Sequence, residues 1–303
     1  MRFQGRKIGA TLLGALMFGA GLAHANIPID GQFGMQPAAS ERAQTITDFH
    51  TYLLVIITVI TLFVTALLVW VIFRYNSRSN ATPARFSHNT VLEVAWTTLP
   101  VMILIAIAVF SFPLLYASDV EPTSEKVASG ESRELTADDW VTIKTYGHQW
   151  YWRYIYDTDS EEPVEFESRL IPEDDLANNP GSVRQLSVYQ PMVVPQGKYV
   201  RLNIAAYDVI HSWAMPAFRV KVDAVPGRLN QLWFKAEQEG IYFGQCSELC
   251  GLDHAYMPIE LRIVPQDVYD QWLTLLREDE TEAFEYLEQA QPRTSLQQLA
   301  SVQ

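Results

Sequence analysis

Two long stretches without a single charged side chain constrain this chain more than anything else in it. Residues 49–73 and 94–118 each run 25 positions with no Asp, Glu, Lys or Arg. At the helical rise such a run spans about 37 Å, enough to cross a ~30 Å hydrocarbon core with some tilt. In lipid every backbone polar group needs an internal partner, so each run is expected to be a helix. Trp70, Trp96 and Tyr116 lie near run ends, where interfacial aromatics belong. Pro100 falls early in the second run, where a missing N–H does least harm. Two spans with a short connection make a transmembrane hairpin over 49–118, its loop at 74–93.

The flanks orient that hairpin. The loop carries Arg74, Arg78 and Arg85 against one acid, Glu93, which places it in the cytoplasm and both ends outside. Residues 1–25 read as a secretory signal: Arg2, Arg6 and Lys7, then apolar Ala10–Leu22, then an Ala23-His24-Ala25 cleavage site. An exported segment, 26–48, would lead into the first span. Glu93 stands where the loop meets the second span. It reads either as a carboxylate in contact with interfacial water or as the start of a proton path.

From residue 119 onward there are 31 acids and 15 bases, against 4 acids and 7 bases before it. This acidic face suits a basic partner or serves solubility, and charge count alone does not separate the two. With no basic patch, nucleic acid is not an expected partner. Short runs rich in β-branched and aromatic residues recur at 140–146, 150–156, 164–168, 185–189, 199–206, 229–235, 240–243 and 258–264, which argues for an antiparallel β-sandwich or barrel over 119–264. After it, Val268, Trp272, Leu275 and Leu276 fall at helical spacing. A short C-terminal helix is expected within 265–303, giving way to a charged stretch and a mobile tail from Gln289.

The chemistry concentrates between Tyr242 and Met257, YFGQCSELCGLDHAYM. Cys246, Cys250, His254 and Met257 place four soft ligands within twelve positions, a set suited to copper. The rivals are a disulfide, common in exported domains, and zinc, whose structural sites seldom use Met. A mononuclear blue-copper site needs one Cys and two His. Two thiolates can instead bridge two metals. Either copper site needs a second histidine, and His211 in Asp208-Val-Ile-His-Ser-Trp is the obvious candidate.

His211-Ser-Trp, the DAVPGRLN stretch from Asp223 to Asn230, and Gly244-Gln-Cys-Ser-Glu-Leu-Cys-Gly251 with His254 and Met257 together resemble cytochrome c oxidase subunit II, over about residues 49–264. The resemblance implies a cupredoxin-like domain. It also implies a binuclear copper centre held by His211, Cys246, the Glu248 carbonyl, Cys250, His254 and Met257. The Glu248 carboxylate would share Mg²⁺ or Mn²⁺ with subunit I. Trp150, in the aromatic stretch 147–156 that otherwise reads as packing, would take the electron from cytochrome c. Asp208 would help that donor dock. Glu93 would lie at the mouth of a proton path in the neighbouring subunit, and Asp223 and Arg228 would support the interface, although Pro226-Gly227 is also an ordinary turn signal. The implied setting is an oxidase with subunits I and III in the bacterial plasma membrane, this domain being periplasmic. A quinol oxidase subunit would lack the copper ligands. A copper carrier would not need Trp150, Glu93 or Glu248, and a nitrous-oxide reductase would carry a further metal domain and no hairpin.

Overall fold

The computed structural model describes residues 24–29, 31–82, 84–126, 130–156 and 162–293. The expected signal segment therefore lies outside the described residues except for His24 and Ala25. These form strand β1 (His24–Asn26), whose backbone pairs in parallel with Gly240–Tyr242.

Helix α1 (Glu41–Arg74) and helix α2 (Thr90–Asp119) form the hairpin, and both outrun the uncharged stretches that foretold them. Their starts explain the extension. Ser40 caps α1 by accepting from the Ala43 N–H at 3.2 Å, satisfying one of the orphan donors of the first turn. Asn89 caps α2 by accepting from Leu92 N–H, and the Glu93 carboxylate one residue further on accepts from Asn89 N–H in return, so two orphan groups of the first turn are satisfied. With α2 starting at Thr90, Pro100 sits in the third turn rather than the first ones, and the helix runs on through both Pro100 and Pro113.

The chain then builds two packed sheets. One is ordered β11–β8–β4–β5–β6, from Asn230–Lys235, Tyr199–Ala206, Trp140–His148, Tyr151–Tyr156 and Val164–Ser168. The other is ordered β10–β9–β12–β13–β7, from Val220–Ala224, His211–Met215, Gly240–Cys246, Pro258–Val264 and Met192–Pro195. A small ribbon, β2 (Ser124–Lys126) with β3 (Ser132–Glu134), follows the hairpin. Between the sheets, Trp152, Tyr154 and Tyr156 point inward at alternate positions of β5 and meet Ile143, Leu202, Trp213 and Ile259 in one buried cluster. Full burial of side chains of this size is worth about 2–3 kcal/mol each.

Three sequence expectations need correction. Residues 185–189 are not a strand: Gln185 takes a left-handed conformation (φ 62°) and a single bridge joins Val188 to Leu170. Strands β7 (MVVP), β9 (HSWAM) and β10 (VKVDA) are not among the expected runs; each spans five residues or fewer, too short to stand out even where, as in β10, apolar and polar residues alternate. Beyond Val264 there are two helices, α3 (Gln266–Glu278) and α4 (Glu280–Ala290), not one helix and a charged stretch. Asp279 starts α4 by accepting from Thr281 N–H and Glu282 N–H. The apolar stripe of Ala283, Phe284 and Leu287 packs into the main core, where Trp272 lies edge-on to Tyr156 and Phe284. Apart from Glu288, its charges face outward, which is why composition hid it. Residues 294–303, the rest of the expected tail, lie outside the described residues.

Candidate metal centre

The strand ends of one sheet deliver the candidate ligands. Cys246 ends β12, and β9, whose first residue is His211, pairs with that end of β12 through Trp213. The loop between β12 and β13 returns with Cys250, a short 3-10 turn at His254–Tyr256, and Met257. The two sulfurs lie 3.9 Å apart, beyond the ~2.05 Å of a disulfide. Both cysteines are free and buried. His211 Nδ1 faces Cys246 Sγ at 4.0 Å, and His254 Nδ1 faces Cys250 Sγ at 3.5 Å. Met257 Sδ is 3.5 Å from Cys250 Sγ, and the Glu248 carbonyl is 3.4 Å from Cys246 Sγ. The donor atoms of His211, Cys246 and Cys250 all lie within 4.8 Å of one another.

This donor set fits thiophilic metal. Thiolate–metal bonds near 2.3 Å allow both sulfurs to reach one ion or to share two. The two thiols also ionise unequally. Burial raises the Cys246 thiol, but the His211 imidazole and backbone hydrogen bonds at Glu248 and Ser212 outweigh it and bring the thiol down. Burial, reinforced by the neighbouring Cys246 thiolate, pushes Cys250 up. Two adjacent buried thiolates repel, and a bound cation supplies the charge that lets both deprotonate.

Behind the ligands, Asp208 accounts for one histidine tautomer. Its Oδ1 accepts from His211 Nε2 at 2.9 Å and from Val209 N–H, and its Oδ2 accepts from Gln149 N–H at 2.7 Å. With Nε2 donating there, Nδ1 is left with its lone pair toward the sulfurs. Burial alone would lift the Asp208 carboxyl, but His211 and the two backbone donors hold it below its usual range. The Cys250 carbonyl accepts from Gln149 Nε2 (2.8 Å) and from Trp150 Nε1 (3.3 Å). Trp150 therefore precedes β5 and leans on the metal loop; it does not continue the inward row of Trp152, Tyr154 and Tyr156.

Gly147 has a steric role that no local pattern announces. A Cβ there would lie 2.8–3.0 Å from the His211 side chain. Gly147→Ala is expected to cost about 1–3 kcal/mol through overpacking, read as a lower thermal midpoint of the metal-free chain, and to displace His211.

The remaining sequence-designated residues are dispersed. Asp223 lies on β10 opposite Ser212, next to His211 in register. Its carbonyl accepts from Asn230 Nδ2. Arg228 is exposed and closes the Val225–Arg228 turn, in which Gly227 takes the positive φ (74°) that the position after Pro226 requires. The Glu248 side chain is exposed. Glu93 is in the first turn of α2, at the end remote from the sandwich, so about 39 Å of helix separates the two.

A two-helix membrane hairpin carrying a β-sandwich with a buried Cys–Cys–His–Met cluster defines a membrane-anchored domain of cupredoxin type with a candidate metal site. Residues 28–114 match the family model for the cytochrome c oxidase subunit II transmembrane domain, and residues 141–264 match that for its periplasmic domain. The chain is 41% identical over 263 residues to a probable cytochrome c oxidase subunit 2 of Rickettsia bellii, covering 87% of this chain and 90% of that one. It is 43% identical over 266 residues to cytochrome c oxidase subunit 2 of Cereibacter sphaeroides, covering 82% of each. The crystallised periplasmic domain of cytochrome oxidase subunit II from Bradyrhizobium japonicum is 45% identical, covers 46% of this chain and 94% of its own, and superposes with a TM-score of 0.41. The chain belongs to the cytochrome c oxidase subunit II family and is thus a membrane subunit of a haem–copper oxidase, an oxidoreductase.

Proposed function

We propose that this chain is the electron-accepting subunit of its oxidase, taking electrons singly from cytochrome c and relaying them to haem in subunit I, where oxygen is reduced and protons are translocated. One observation carries the reading: two buried sulfurs 3.9 Å apart, each with a histidine Nδ1 on its own side. Cys246 and Cys250 would bridge two copper ions. His211 and His254 would each bind one of them, with Met257 and the Glu248 carbonyl as weak ligands. Copper held there supplies a one-electron couple shared over two nuclei.

The chain's own residues do the rest. The apolar surroundings of the loop, from Trp152 to Ile259, exclude water and keep the ligands in place during electron exchange. Trp150 is partly exposed and donates to the carbonyl of a bridging cysteine, so it joins the surface to the site through one hydrogen bond. The sixteen surplus acids from residue 119 onward draw a basic donor toward this domain. Asp208 has two tasks in this reading: it orients His211, and its exposed edge adds to the docking charge. The exposed Glu248 carboxylate would share a hard Mg²⁺ or Mn²⁺ with subunit I, as oxygen ligands favour. Asp223 and Arg228 would face the same interface, and Glu93 would open a proton path in that partner. Subunits I and III, the plasma membrane and a periplasmic sandwich complete the setting, with Arg74, Arg78 and Arg85 keeping the 74–93 loop cytoplasmic.

The test is Trp150→Phe in the assembled oxidase, followed by stopped-flow mixing with reduced cytochrome c. The reading expects electron uptake about a hundredfold slower with unchanged copper content, the scale of loss that small misplacements produce. Unchanged uptake would remove Trp150 from the route.

A further inference from the structure

A cavity of about 640 Å³ opens where the hairpin meets the sandwich. One wall comes from the last turns of α2, with Leu114 and Ala117, both within the uncharged run. Another comes from the first turn of α1 and from β11, with Glu41, Arg42 and Trp233. Arg42 lies seven residues ahead of the uncharged run of α1, about 10 Å along the axis. The cavity therefore straddles the boundary between hydrocarbon and headgroups.

Arg42 is poorly matched to its own protein. Half-buried, it sits 4.3 Å over the Trp233 ring and donates from Nη1 to the Trp233 carbonyl at 3.2 Å. A guanidinium has five donors, and among the described residues Arg42 has no carboxylate partner. The neighbouring charges are spoken for: Lys235 by Glu125, and Glu121 by Arg201. Trp233 Nε1, on a residue 9% exposed, has no acceptor either. Glu237 spends one carboxylate oxygen on the Glu41 N–H, and both acids line the same cavity as Arg42.

We propose that this cavity binds one phospholipid carrying a primary amine, of the phosphatidylethanolamine class. The phosphodiester would accept from Arg42. The ammonium would donate to Glu41 and Glu237, and an acyl chain would lie along Leu114 and Ala117. A phosphate without the amine would leave two carboxylates facing an anion. A quaternary amine could not donate to them. The charge layout of one cation and two acids thus selects among headgroups, and it does so independently of the metal site.

The full-length chain in mild detergent, exchanged against phosphatidylethanolamine, phosphatidylglycerol or phosphatidylcholine with identical acyl chains and weighed by native mass spectrometry, tests this. The expected result is one retained phosphatidylethanolamine per chain. Arg42→Gln should lower retention about tenfold, as loss of hydrogen bonds to a charged group implies; Arg42→Lys should restore part of it, and Glu237→Gln should reduce phosphatidylethanolamine to the phosphatidylcholine level. Equal retention of the three headgroups, or of wild type and Arg42→Gln, would overturn the site. So would absence of the lipid when the intact oxidase is weighed the same way, since a partner subunit would then fill the cavity.

Discussion

Cys246→Ser is expected to abolish the proposed shared copper centre while leaving the metal-free fold standing. Serine has nearly the shape of cysteine, so the buried site where β12 meets its loop keeps its packing. What would disappear is the thiolate proposed to bridge on the His211 side, the one its surroundings already favour in ionised form. Changes to groups merely behind metal ligands cost about 10–100-fold in affinity, so loss of a bridging ligand should cost at least about a hundredfold. Copper per chain should fall from two to one or none. The residual ion, coordinated from the Cys250, His254 and Met257 side, should behave as a single centre, and electron uptake from cytochrome c should stop. The check is metal analysis beside circular dichroism: copper lost with the β signal intact is the expected pair of results. An unfolded variant would leave the ligand role to be read from Cys250→Ser instead.

The second large effect lies far from any chemistry. Glu260 on β13 is fully buried, its carboxylate accepting from Arg262 Nε (3.0 Å), Arg293 Nε (3.0 Å) and the Val188 N–H (3.1 Å). Arg262 and Arg293 in turn bond Glu288 of α4, at 2.7 and 3.1 Å, and Arg262 also donates to the Gln291 carbonyl. Two acids and two arginines thus close a neutral network that ties the C-terminal helices and the 185–189 bend to the sheet. Removing one partner strands buried charge. Glu260→Gln should therefore lower unfolding free energy by about 3–5 kcal/mol, measured by denaturant titration, and should expose α4 to proteolysis first. The pH dependence has a definite sign. Burial alone would raise the Glu260 pKa, but Arg293 and Arg262 hold it below the ordinary value. A depressed folded pKa contributes stability that is present above the unfolded value, about 4.3, and is lost as pH falls through the lower folded one. Below about pH 4 the wild type should lose stability more steeply than the variant.

These two sites differ in how far the sequence revealed them. The thiol cluster was legible because its ligands are local: Cys246, Cys250, His254 and Met257 share twelve residues, and soft donors at that spacing are informative without any fold. The hairpin was legible for the same reason, since uncharged length is a property of one segment. His211 lies 35 positions before Cys246, and only its motif pointed to it. The hydrogen bond from the Gln149 N–H to Asp208, 59 residues apart, and the close approach of His211 to Gly147 depend on how β4 packs beside β9. No local pattern announces such contacts. The Glu260 network was invisible because isolated charges on a strand and on a charged helix look solvated until the two are brought together. Helix α4 was missed by the same route: its stripe of Ala283, Phe284 and Leu287 is narrow, and the acids around it dominate the count.

The most direct test of the central claim is copper stoichiometry and the electron paramagnetic resonance spectrum of the full-length chain, loaded with copper under reducing, anaerobic conditions and then oxidised. Two coppers per chain, with hyperfine splitting from one unpaired electron shared by both nuclei, is the predicted result. One copper with a single-centre spectrum, or no copper and a Cys246–Cys250 disulfide after loading, would contradict it.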